Sequence, residues 1–116
     1  MEKGVEMDGL TKVQKRRLKA LASVAHEREL SAALTELETG FSEWRDGKID
    51  SFELDDRIHA FKKGPARDIW TFYATMDAAL AVARGLGHGI LEESEVDESL
   101  RAVLARQVEF FRSESD

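Results

Sequence analysis

The sequence predicts an all-α protein, a small bundle of four or five helices with a long helix near its N-terminal end. Three observations carry that expectation. Apolar residues recur at helical spacing along most of the chain, and no segment alternates with the period of a strand. Helix-ending signals fall at three places: Gly47, the Gly64-Pro65 pair, and the glycines at 85, 87 and 89. Residues suited to capping a following helix stand just beyond two of these breaks.

Residues 1–9, with Gly4 and Gly9 and little periodicity, read as a flexible N-terminus ahead of a single helical domain over 10–116. From Leu10, the positions Leu10, Val13, Leu18, Leu21 and Val24 suit an amphipathic helix. A second stripe, Leu30, Leu34, Leu37, Phe41 and Trp44, repeats with the 4-3-4-3 spacing of helix–helix seams. The two stripes are out of phase, with the slip near His26–Glu29. Either the chain breaks there, or one helix runs over 10–46 for roughly 54 Å. A compact domain of this length has a radius of gyration near about 14 Å, so a continuous helix would project past its own core.

The second helix is expected over 51–62, with Leu54, Ile58 and Phe61 on one face. Pro65 is preorganised for the first position of the third helix. That helix carries Ile69, Trp70, Phe72, Tyr73 and Met76, a band expected in the core. Asp77 re-caps the chain after a break near Thr75. Ala78 to Leu86 is a strong helix former. Gly85, Gly87 and Gly89 are expected to end it. Ser94 or Asp97 caps the last helix, whose stripe is Val96, Leu100, Val103, Leu104, Val108 and Phe111.

The segment from Phe41 to Leu54, FSEWRDGKIDSFEL, admits two chemistries. With Gly47 as the sixth residue, the stretch from Ser42 to Glu53 resembles a degenerate EF-hand loop. Asp46 then stands fifth, Asp50 ninth and Glu53 twelfth, where a bidentate carboxylate belongs. Ser42 and Trp44 occupy the first and third places, which need strong oxygen ligands. Two of the six to eight oxygens that Ca²⁺ requires are therefore missing. The purely structural reading gives every residue a role. Gly47 supplies a left-handed helix terminus, Asp50 caps the next helix, and Glu53 three residues on completes a capping-box-like pair. No metal or other cofactor is expected, with Asp46, Asp50 and Glu53 as weak metal candidates.

Other candidate chemistry is sparse. Lys62, Lys63 and Arg67 bracket the start of the third helix, where free N–H groups favour an anion, although Pro65 removes one donor. The competing reading is that the two lysines neutralise the carboxyl end of the second helix. Asp55 and His59 share a helix face at a spacing that suits a metal or a surface ion pair. The run Gly85-Leu86-Gly87-His88-Gly89 lacks the preceding strand of a nucleotide-binding turn. Nothing assembles a catalytic constellation, so the expectation is a non-enzymatic protein.

The string ELDDRIHAFKKGPARDIW, together with the upstream Trp44 and Gly47-Lys48-Ile49 turn, resembles a set of small uncharacterised bacterial all-helical proteins. The likeness covers residues 25–75. It implies an all-helical fold and a bacterial cytoplasmic origin, and it carries over no functional residues.

Composition narrows the function. The chain has 116 residues, no cysteine and a formal net charge of −6. Disulfides, thiol nucleophiles and cysteine metal sites are excluded. No stretch approaches the length of a membrane span, and a cytoplasmic location is expected. Residues 1–25 carry a net charge of +3, so the remainder carries −9. A negative body disfavours nucleic acid, while the basic helix from Leu10 to Lys19 keeps a nucleic-acid role as an alternative. A third possibility is a weak divalent-metal sensor through the degenerate loop. The reading that accounts for most residues is a protein–protein interaction or regulatory module forming a homodimer. Its contact is expected along the N-terminal helices, with Leu30, Leu34, Leu37, Phe41 and Trp44, and on the last helix, where Phe110 beside Phe111 widens the apolar face.

Overall fold

The computed structural model describes residues 9–115. They form five α-helices and one 3-10 turn, with no strand among them. The helices are α1 (Lys12–Arg45), α2 (Ser51–Lys63), α3 (Pro65–Thr75), α4 (Ala78–Gly87) and α5 (Glu98–Ser115), with the 3-10 turn at Glu93–Glu95 before α5. The expected breaks near 47–50, 64 and 85–95 are all present. The expected flexible segment lies outside the described residues except for Gly9.

The first helix is unbroken for 34 residues. It contains no proline, and its single glycine, Gly40, leaves only ordinary contacts to a would-be Cβ. The slip in hydrophobic phase near His26 therefore does not mark a break. It marks a change of packing partners, because the chain divides into two compact units. Among the described residues, one comprises 9–26 and 76–115, the other 27–75. Helix α1 starts with a reciprocal capping box that the sequence reading did not single out. Gln14 N–H donates to Thr11 Oγ1 at 3.0 Å, and Thr11 N–H donates to Gln14 Oε1 at 3.0 Å.

The first unit holds nearly all of the buried apolar side chains. Leu18 and Leu21 of α1, Val82 and Leu86 of α4, and Leu100 and Leu104 of α5 are buried together with Leu91 and Val96 of the connection. Helices α4 and α5 pack most extensively. Their approach is so close that a Cβ on Gly87 would lie 2.6 Å from Phe111 Cβ, 2.9 Å from Arg112 N and 2.9 Å from Val108 O. Gly85 lies inside α4 and does not end it as expected from the sequence, while Gly87 is its last residue; both are packing positions. Gly89 does the terminating, at φ +77°. Ile90 N–H donates to Gly85 O at 2.8 Å and Gly89 N–H to Leu86 O at 3.3 Å, the paired bonds of a Schellman end. Asp77 caps α4 through Leu80 N–H at 2.9 Å. Asp97 accepts from Leu100 N–H at 3.2 Å and caps α5. The acidic run from Glu92 to Glu98 thus serves helix starts, where carboxylates oppose the positive end of the dipole.

The second unit is built from residues 27–45 of α1 with α2 and α3. Here one expectation fails. Helix α3 contributes no fully buried residue: Ile69, Phe72 and Tyr73 are half-buried, Met76 just beyond it is exposed, and Trp70 is 67% exposed. Of the seam on α1, Leu30, Leu37 and Phe41 are half-buried, whereas Leu34 and Trp44 stand exposed. Three short helices cannot surround all of these side chains, so each keeps one face in water. In the first unit, Val13, Val24 and Val103 are also exposed members of otherwise buried stripes.

The close approach of α4 and α5 sets a testable cost. Gly87→Ala should lower unfolding stability by about 1–3 kcal/mol, because the backbone of α5 must move away. Gly47→Ala, where nothing lies within 4 Å of a Cβ and only the φ of +76° opposes the side chain, should cost about 1–2 kcal/mol. Urea denaturation checks both, and only Gly87→Ala should also loosen near-ultraviolet signals from the aromatic residues around α5.

Candidate interaction surface

The joint between α1 and α2 is built from local hydrogen bonds. Lys48 N–H donates to Glu43 O at 2.8 Å and Gly47 N–H to Trp44 O at 3.1 Å, closing α1 with Gly47 at φ +76°. Asp50 has an extended backbone and its Oδ1 accepts from Glu53 N–H at 2.9 Å. Only half of the expected reciprocal box forms. The Glu53 carboxylate turns along the helix and accepts from Arg57 Nε at 3.1 Å instead. The indole N–H of Trp44 donates to Ser51 Oγ at 3.0 Å, which fixes the ring at the joint.

The EF-hand candidates are therefore occupied by helix-end chemistry. Asp50 caps, Glu53 pairs with Arg57, and Asp46 is an exposed residue in the turn. No cluster of three or more His, Cys, Asp or Glu side chains able to hold a metal ion occurs among the described residues. Asp55 and His59 are both exposed, with Nδ1 3.7 Å from the carboxylate, as in a surface pair. Lys62 and Lys63 lie exposed in the last turn of α2, and Arg67 exposed in the first turn of α3. The lysines thus stand at the negative end of the α2 dipole.

Arg57, which sequence reasoning did not single out, organises this unit. Its Nη1 lies 3.0 Å from Glu43 Oε1 on α1, and its Nε lies 3.1 Å from Glu53 Oε2 on its own helix. Hydrogen bonds to Glu53 and then Glu43 raise its pKa above the ordinary arginine value. The guanidinium therefore stays charged at every ordinary pH. The spacing of Glu53 and Arg57 was a legible signal, an i,i+4 pair in favourable order. The partner on α1 was not legible, since it depends on how the helices fold back. A second tie joins α3 to α1, where the Tyr73 hydroxyl donates to Glu29 Oε1 at 2.7 Å.

Between these ties lies an apolar groove of about 550 Å³, lined by Ala32, Ala33, Leu37, Ala60, Phe61 and Pro65. Glu36 and Arg57 complete its lining. Of the seam residues expected from the sequence, Leu37 lies in this groove, while Leu30 and Leu34 line a smaller hollow with Glu27 and Glu38. Phe52 is 82% exposed at the start of α2. Neither the groove nor the exposure of Phe52 and Trp70 was visible in the hydrophobic pattern, which marks apolar faces without saying which are covered. In the first unit, Phe110 is 62% exposed and packs edge-on against half-buried Phe111 at 5.2 Å between ring centres. Phe111 also meets the His88 ring edge-on at 5.8 Å. No family model, curated protein or solved structure matches the chain.

Because Asp50 acts as a helix cap, Asp50→Ala should cost about 1 kcal/mol of stability. The loss should be the same with millimolar Ca²⁺ and with a chelator. Chemical denaturation under both conditions checks this, and a Ca²⁺-dependent difference would restore the metal reading of the loop.

Proposed function

We propose that the protein is a non-enzymatic interaction module that self-associates as a homodimer through the helical unit of residues 27–75. One observation carries this reading. Within that unit, Leu54 is the one large apolar side chain that is buried, while Leu34, Trp44, Phe52 and Trp70 are all exposed. A unit of about fifty residues buries a smaller fraction of its surface than a larger domain does, and such units gain stability by covering apolar faces with another chain. The groove supports the reading as well. Its walls are mostly apolar, and its only charged lining residues are Glu36 and Arg57, a composition suited to a protruding apolar side chain.

The exposed Phe110 offers a second contact point on α5. The polar ties of the 27–75 unit hold its helices in place without filling the space between them. That arrangement keeps a receptive surface formed in the single chain.

Sedimentation equilibrium at micromolar concentration tests the proposal. The expected result is twice the chain mass. A single-chain mass across the whole micromolar range removes the self-association reading.

A further inference from the structure

We infer that Trp70 is the anchor of this self-association: the indole of one copy seats in the groove between α1 and α2 of a second copy, with Arg67 of the first pairing with Glu36 of the second. The inference rests on the self-association proposed above and names its contact.

The groove is lined mainly by apolar side chains, Ala32, Ala33, Leu37, Ala60, Phe61 and Pro65, which suits a projecting apolar occupant. Four large exposed side chains in the unit are candidates: Leu34, Trp44, Phe52 and Trp70. Leu34 is itself part of the lining of a neighbouring hollow. Trp44 is fixed at the α1–α2 joint by its bond to Ser51. Phe52 has Asp55 and Asp56 at i+3 and i+4, both exposed carboxylates. Seating Phe52 in an apolar groove would strip water from those charges at a cost no partner there offsets.

Trp70 has a different neighbourhood. Its i±3 and i±4 positions are Ala66, Arg67, Tyr73 and Ala74, small, aromatic and basic. Its indole presents a large rigid face, 67% exposed, of the kind that dominates protein contacts. Charge then favours this occupant. At the groove, Arg57 is already matched by Glu43 and Glu53, which leaves the adjacent Glu36 without a compensating cation. Beside the knob, Arg67 is the cation one turn before Trp70. Neither Glu36 nor Arg67 makes an ion pair with a described residue, and both are exposed. Knob and groove belong to the same unit, so a twofold arrangement makes the contact twice, once in each direction.

The test uses the full chain and sedimentation velocity over a concentration series. Trp70→Ala should weaken dimerisation at least about tenfold, as loss of a central aromatic anchor does. Circular dichroism should be unchanged, because Trp70 supports little of the single chain. Arg67→Glu and Glu36→Arg should each weaken the dimer, and the double variant should recover it. That recovery requires the two side chains to meet across copies, since they do not pair within one. A wild-type dimer with unchanged affinity in Trp70→Ala overturns the inference and leaves self-association standing. Weakening by Trp70→Ala without recovery in the charge-swapped double variant likewise overturns the groove as its seat. A monomeric wild type removes both.

Discussion

The contact between α4 and α5 at Gly87 is the constraint on which the better-packed part of the molecule depends. Phe111, Val108 and Arg112 of α5 stand where a side chain on Gly87 would be. With the helices at that distance, small residues such as Ala79, Ala81 and Ala83 become buried core rather than filler. The turn that follows is shaped by the same requirement. Gly89 reverses the chain, and Leu91 then packs over Gly85, where a Cβ would lie 2.9 Å from Leu91 Cδ1. A glycine pair inside a helix sacrifices backbone preference, and close packing returns that stability.

The unit of residues 27–75 follows a different logic. Its helices are joined by Arg57 to Glu43, by Tyr73 to Glu29 and by Trp44 to Ser51. Such partly exposed polar contacts orient elements but contribute modestly to stability, since each replaces interactions with water. Directional ties at the margins with little filling between them leave a preformed concavity. This distribution of forces underlies the proposed self-association. A tightly filled three-helix unit would offer no receptive groove.

Helix ends were largely legible in the residues. Gly47, Asp50, Pro65, Asp77 and Asp97 act within a few positions of themselves, and local chemistry fixes what they do. The same locality settles what the acidic residues of the 46–53 loop do here, as Asp50 and Glu53 each find a partner within four residues. The Thr11–Gln14 box was equally local and was available to be read. Of the candidate surface, the stripe from Leu30 to Trp44 was readable as apolar, but not which members face a neighbour.

The sequence by itself determined the all-helical class, the breaks near 47–50, 64 and 85–95, and several of the residues that cap and end the helices. These follow from backbone geometry and from side chains reaching the nearest unsatisfied N–H or C=O. Only the tertiary structure decided that α1 runs on through the phase slip near His26, because the slip reflects two sets of packing partners and not a weakness in the helix. It alone decided that Gly85 and Gly87 are packing positions, that Arg57 bridges two helices, and that Trp70 lies at the surface despite its apolar band. Burial depends on which elements converge around a side chain. A hydrophobic pattern records only that a face is apolar, and with too few helices to cover every apolar face, some of those faces remain in water.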